Sequence, residues 1–181
     1  MVEAHDGIVF RSATLDDLPA LVEIHNHYVL NTHVTFDVEP FTVATRRAWF
    51  DEHNSDEHNF DEHNPAGRYR IVVAQQGNRI LGSASSGRHR PKAAYDTTVE
   101  TSIACHPDAV GRGLGTRLYQ ELFAALSGQD IHRAVAGVAQ PNDASNALHR
   151  KLGFQPLGTY SEVGRKFNRY WDVLWFERSM P

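Results

Sequence analysis

Between residues 97 and 139 the hydrophobic pattern changes period several times, and that alone narrows the fold. TTVETSIACH, 97 to 106, reads as a strand ended by Pro107. GRGLG then interrupts any regular pattern. LGTRLYQELFAAL sets Leu114, Leu118 and Leu122 four apart with Phe123 beside them, the stripe of an amphipathic helix. RAVAGVA, 133 to 139, is short and carries no polar side chain after Arg133, as a strand covered on both faces would. A strand, a glycine turn, a helix and a second strand in so short a span point to one mixed α/β domain.

The flanking segments agree. IVFRSA (8 to 13) alternates as a first strand should, and TLDDLPALVEIHNHYVL aligns Leu18, Leu21, Ile24 and Tyr28 on one helical face, with Thr14 and Asp17 spaced as a helix start. FTVATRRAWFDEH, 41 to 53, predicts a second helix. YRIVVAQQ and RILGSASSG predict two strands joined at Gly77-Asn78. DASNALHRKLG predicts a helix closed by Gly153, and two more strands are expected around 155 to 160 and 170 to 177. No linker divides the 181 residues, so residues 1–181 are expected to form a single domain.

Charge and cysteine content remove several function classes. The net charge is -4, but WFDEHNSDEHNFDEHNPAG repeats Asp-Glu-His-Asn from Asp51, Asp56 and Asp61. Without those six carboxylates, 18 basic residues face 16 of the 22 acidic ones, a net charge of +2. Lys and Arg form no long track for a nucleic acid, and the one basic cluster, GRHRPK at 87 to 92, suits a small anion better. No segment has the ~18 apolar residues of a membrane span, and the start lacks a leader pattern, so a soluble, cytoplasmic protein is expected. Cys105 is alone, which leaves no intrachain disulfide; its simplest reading is a small buried side chain in a strand.

The chemistry-bearing motif is VGRGLGT, 110 to 116. Two glycines spaced GLG between a strand end and a helix can turn backbone N-H groups toward an anion, and the helix terminus adds partial positive charge. The motif lacks the Gly-Lys-Ser/Thr of a P-loop. It is also a poor dinucleotide fingerprint, since the full pattern is missing and no βαβ unit with a following acidic residue is read around it. An unliganded glycine turn remains the plain alternative.

The order strand, proline, glycine turn, helix, strand, and then PNDASNALHRKLGF resembles the GNAT superfamily of acetyl-CoA-dependent N-acetyltransferases. NHYVLNTHVTFDVEP, AYDTTVETSIACHP, AQPNDASNALHRKLGF and EVGRKFNRYWDVLWF narrow the likeness to the phosphinothricin and methionine sulfoximine N-acetyltransferases, over residues 8 to 177. The resemblance implies a GNAT fold: a mixed, mostly antiparallel twisted sheet of about seven strands, flanked by helices and splayed at the acetyl-CoA site. It implies acetyl-CoA as cosubstrate, held by Ile103, Cys105, Val110, Gly111, Arg112, Gly113, Gly115, Thr116, Asn142, Ser145 and Lys151. Val110 stands where the family usually has Arg or Gln.

Acetyl transfer from a thioester needs a neutral amine, a polarised carbonyl and a proton for the departing thiolate. The family match makes Glu100 the base and places the oxyanion at backbone N-H groups around Ile103 to Cys105. His149 occupies the position of a Tyr that serves as candidate acid. Arg90, Lys92 and Tyr95 fall near the family's substrate pocket, where Arg suits a carboxylate or phosphinate, and Phe36 would supply an apolar wall. Ala104 stands in place of a usual Tyr, His89 in place of Phe or Trp, and Asn168 in place of Gly. The partner implied is a small amino acid, with a homodimer implied by the branch. An aminoglycoside, a polyamine, a protein N-terminus, or a non-catalytic acyl-CoA sensor remain as alternatives.

The repeats are read apart from this chemistry. Their histidines, five apart, step about 140° around a helix and share no face. WFDEHNPAGRYR would be continuous without the extra DEHNS and DEHNF, so residues 51–64 are expected to be a duplicated insertion in a surface loop, with no metal site.

Overall fold

The computed structural model describes residues 7–54 and 67–180. In chain order these form β1 (Ile8–Ser12), α1 (Leu18–Asn31), α2 (Val43–Asn54), β2 (Arg70–Gln76), β3 (Arg79–Arg88), β4 (Thr98–Cys105), α3 (Leu114–Ala125), β5 (Arg133–Ala139), α4 (Asp143–Lys151), β6 (Gln155–Lys166) and β7 (Arg169–Ser179). The seven strands make one sheet in the order β1-β2-β3-β4-β5-β7-β6. All neighbours are antiparallel except β4 and β5. That parallel pair makes β4, α3 and β5 a βαβ unit, against the expectation that none surrounds the glycine turn. A parallel pairing confined to three residues a side leaves no sequence pattern that distinguishes it from an antiparallel one.

Two apolar layers sandwich the sheet. Strand β2 shows why its sequence is a continuous apolar run: Val72 and Ala74 join the core under α3, while Ile71 and Val73 join the core under α1 and α2. The predicted stripe of α3 is fully used, with Leu118 and Leu122 wholly buried, each contributing about 1.5–3 kcal/mol. On the opposite face Leu18, Leu21 and Ile24 bury the predicted face of α1. The entry to α1 is fastened by Asp17, which accepts from the Thr14 amide at 2.7 Å and from both terminal nitrogens of Arg11 at 2.6 and 2.8 Å.

Strands β6 and β7 are longer than their apolar patterns suggested and join through Phe167 and Asn168, both left-handed at φ 52° and 57°. Two consecutive positive φ values are what a tight two-residue hairpin requires, and Asn fills one of them in place of Gly. The first Asp-Glu-His-Asn copy is the last turn of α2 instead of loop, held by Phe50 in the core and by Arg47 on Asp51 at 2.7 Å. The second and third copies lie outside the described residues.

Candidate active site

The site follows from how β4 and β5 separate. They pair only from Thr98–Glu100 to Arg133–Val135. Beyond that, β4 stays with β3 as far as Cys105 and β5 stays with β7 as far as Ala139, so the strands diverge and leave a cavity of about 620 Å³. The start of α3 closes one side and α4 the other.

The α3 terminus is built for an anion. Gly113 is its N-cap at φ 73° and Gly111 precedes it at φ 83°, backbone that L side chains rarely adopt. No side chain caps the helix, so its first N-H groups are left for a ligand. Val110, Gly111, Gly113, Gly115 and Thr116 line the cavity; Arg112 is exposed on the same turn and does not. Gly115 carries a second duty: a Cβ there would meet Leu148 at 3.1 Å and Ile103 at 3.4 Å, so its absence lets α3 approach α4 and β4. Asn142 accepts from the Ser145 amide at 3.1 Å to start α4, and Asn142, Ser145 and Lys151 all line the cavity.

The opened edge of β4 supplies amide donors. The His106 amide donates to Leu81 on β3 at 2.7 Å. By strand alternation the amides of Ile103 and Cys105 therefore face away from β3, toward the gap. The Tyr28 hydroxyl donates to the Cys105 carbonyl at 2.6 Å and holds this edge from α1. Burial pushes the Cys105 thiol up to about 11, so it remains a thiol and a poor nucleophile. The arrangement suits direct attack by an amine over an acyl-cysteine.

Glu100, Ser102 and Ala104 alternate on the α1/α2 face of β4, with Ser102 and Ala104 on the cavity wall. Glu100 lies two residues before Ser102, about 6.6 Å along the strand. Its side chain is 42% exposed, and its Oε2 lies 3.3 Å from Nδ1 of His89. The His89 ring is edge-on to Tyr95 and to Trp175, at centroid distances of 6.0 and 6.2 Å. Nε1 of Trp175 is buried with no hydrogen-bond partner among the described residues, a costly state for a donor.

The structure does not bring every expected substrate residue to the cavity. Arg90 and Lys92 are exposed on the β3–β4 connection, with Tyr95 half exposed beside them, and none lines the cavity. Phe36 packs over Gly164 of β6, while Val34, from the same α1–α2 connection, reaches the cavity wall. That connection is tied down by Nζ of Lys166, which donates to the Thr35 carbonyl at 2.8 Å, and by His33 stacked on Trp171.

His149 counts against the expected acid. It borders the cavity but is only 2% exposed, stacked on Phe176 and edge-on to Phe154. Nδ1 lies 2.8 Å from the Ser145 carbonyl and Nε2 3.1 Å from the Tyr119 hydroxyl. A neutral ring that donates from Nδ1 to the Ser145 carbonyl has no proton left for a thiolate, and its Nε2 faces the Tyr119 hydroxyl, which also reaches Oγ1 of Thr101 at 3.4 Å. Burial lowers its pKa, which reinforces the neutral form. Sequence reasoning missed Tyr28 as a backbone clamp and His53, whose ring packs over Gly87, the cross-strand partner of Glu100. Both contacts depend on tertiary approach; helical spacing marks the Tyr28 ring as core-facing and says nothing of its hydroxyl. Among the described residues, no group of three His, Cys, Asp or Glu could hold a metal ion, and no helix is long and apolar enough to cross a membrane.

The acetyltransferase (GNAT) family model matches residues 24–154. A phosphinothricin N-acetyltransferase of Streptomyces coelicolor is 49% identical over 172 residues, covering 94% of this chain and 95% of its own. An L-methionine sulfoximine/L-methionine sulfone acetyltransferase of Pseudomonas aeruginosa is 35% identical over 171 residues, with 94% and 93% covered. Among solved structures, a phosphinothricin acetyltransferase from Sinorhizobium meliloti in complex with acetyl-CoA superposes with a TM-score of 0.85 at 28% identity, covering 96% of this chain and 89% of that one.

Proposed function

The chain belongs to the acetyltransferase (GNAT) family and uses acetyl-CoA as cosubstrate; on that premise we propose that it acetylates the α-amine of a small amino acid of the phosphinothricin, methionine sulfoximine or methionine sulfone class. The observation that carries the substrate class is the 49% identity, over nearly both full chains, to a phosphinothricin N-acetyltransferase. The site supports it with an anion cradle, an opened strand edge and a carboxylate in line along β4.

In this reading the α3 terminus, with Gly111, Gly113 and Thr116, holds the phosphates, while Asn142, Ser145 and Lys151 hold the cosubstrate from α4. Glu100 takes the proton from the substrate ammonium, directly or through a water. The amides of Ile103 and Cys105 donate to the oxygen on which charge develops as the amine attacks, and the attack breaks the thioester C–S bond. His149 shapes the cavity floor, and the thiolate takes its proton from solvent or the substrate side. Arg90 and Lys92 attract the anionic end of the amino acid from the rim, Val34 supplies an apolar cavity wall, and Tyr95 and Phe36 border the substrate side outside the cavity.

Residues 1–181 act as a single domain, and the protein works in the cytoplasm as a homodimer. Support for pairing is the β6–β7 hairpin, where the outermost strand of the sheet is twelve residues long and Leu157, Tyr160, Val163, Phe167 and Tyr170 are exposed together. Acetylating phosphinothricin would confer resistance to that herbicide. The test is thiol release from acetyl-CoA with phosphinothricin, methionine sulfoximine, methionine sulfone and an aminoglycoside in parallel. Release with one of the first three supports the proposal. Release with the aminoglycoside alone, or binding of acetyl-CoA with no release from any amine, refutes it.

A further inference from the structure

His89 sets an aromatic ring beside the carboxylate of Glu100. An imidazole keeps the flat ring that packs between Tyr95 and Trp175, so packing accounts for the ring but not for its nitrogens. One of those nitrogens, Nδ1, lies 3.3 Å from Oε2 of Glu100. The ring is fixed from two sides, by the β3–β4 connection and by β7, and keeps 16% of its side-chain surface in solvent.

We propose that His89 is a positioning residue: its Nδ1–H donates to the Glu100 carboxylate and holds it aimed along β4 at the substrate amine. The inference rests on Glu100 being the base. The ammonium N–H bond breaks as an O–H bond forms on Glu100, and the carboxylic acid, 42% exposed, returns that proton to water, so one proton enters and one leaves per turnover. A ring that donates from Nδ1 to the carboxylate has no vacancy there, so His89 orients Glu100 and takes no proton from it.

The other titratable and charged groups around the pair are few. Tyr95 meets the His89 ring from the connection. Arg88 and Arg90 flank it in the chain. From α2, His53 packs over Gly87 with Glu52 beside it, and burial lowers the pKa of His53 and keeps it neutral near pH 7. Glu177 of β7 shares the face, registered with Val135, which is registered with Glu100. Two strand spacings, about 10 Å, separate Glu177 from Glu100. Among the described residues His89 is the group in hydrogen-bond reach of the carboxylate.

The test is the pH profile of kcat/KM from about pH 5 to 9 for the unaltered protein, His89→Phe and His89→Gln, using the amine that gives the fastest thiol release. Melting temperature and acetyl-CoA affinity establish that each variant is folded. His89→Phe keeps the ring shape and loses the donor, and His89→Gln keeps a donor for the carboxylate. The expected result is a kcat/KM lowered about tenfold or more across the profile in His89→Phe and largely kept in His89→Gln. Equal kcat/KM in the unaltered protein and both variants, with Glu100→Gln inactive, overturns the role of His89 alone. Full activity in Glu100→Gln overturns the base assignment and the positioning role with it.

Discussion

Gly113 and Gly128 offer a matched pair at the two ends of α3. Gly113 is the N-cap, at φ 73°, and Gly128 sits just past the C-terminus, at φ 83°. A Cβ at either position would meet nothing within 4 Å, so alanine brings no clash, only the left-handed backbone penalty. That penalty is about 1–2 kcal/mol for an L-residue. At roughly 2–4 °C per kcal/mol for a protein of this size, each variant should melt about 2–8 °C lower. The two differ in what relaxation does. Gly113→Ala can relieve strain by rotating φ, which swings the first N-H groups of α3 out of the cavity. Losing one or two hydrogen bonds to a charged phosphate, at about 1.5–3 kcal/mol each, weakens acetyl-CoA by at least about tenfold. Gly128, a 12-residue helix or about 18 Å away, touches no ligand, and its variant should bind acetyl-CoA normally. Calorimetric titration of acetyl-CoA alongside thermal melts decides it. Equal affinity in the two variants, with equal melting losses, would refute a phosphate cradle at Gly113.

Gly164→Ala sets a Cβ 2.2–2.6 Å from three ring carbons of Phe36, so the ring must move by more than an ångström. Steady-state kinetics should show a raised KM for the amine with the acetyl-CoA KM unchanged, and a melt should show about 1–3 kcal/mol lost. Asp17 loses solvation in the interior, but the bonds from Arg11 and Thr14 outweigh that cost and hold its pKa below the usual value. Its stabilisation is therefore present above the unfolded carboxylate value of about 3.9 and is lost as pH falls through the lower folded value. Asp17→Asn should cost about 3 kcal/mol at neutral pH in chemical denaturation, and the difference should shrink below about pH 4. His149→Phe should cost about 1–3 kcal/mol by removing the imidazole from the Tyr119 hydroxyl, which is left with Thr101 alone, and from the Ser145 carbonyl, while kcat stays within about threefold. A hundredfold loss of kcat in a folded His149→Phe would reinstate the acid role.

What the sequence made legible depended on whether a signal was local. RAVAGVA coincides with β5 because a strand covered on both faces carries no polar side chain after Arg133. The Leu114, Leu118, Leu122 stripe predicted the buried side of α3 because one helix packs on one sheet face. The β6–β7 hairpin extends beyond its apolar pattern, since much of it is exposed and its register shifts near Glu162, a left-handed residue. His149 has the composition of a surface helix around it, yet its ring fills the space between Phe154 and Phe176. Only the closed fold shows that. The His89–Glu100 contact joins the end of one strand to the middle of the next, and its register depends on the intervening connection. The sequence places His89 in the basic run GRHRPK and says nothing of what its ring faces.

The central claim is that Glu100, at the point where β4 and β5 part, deprotonates a small amino-acid amine for acetyl transfer. Thiol release from acetyl-CoA with phosphinothricin, compared between the unaltered protein and Glu100→Gln at mildly alkaline pH, measures it most directly. Rapid release that falls by about 100-fold or more in the variant, with acetyl-CoA binding intact, is the predicted result. Undiminished release by Glu100→Gln would contradict it.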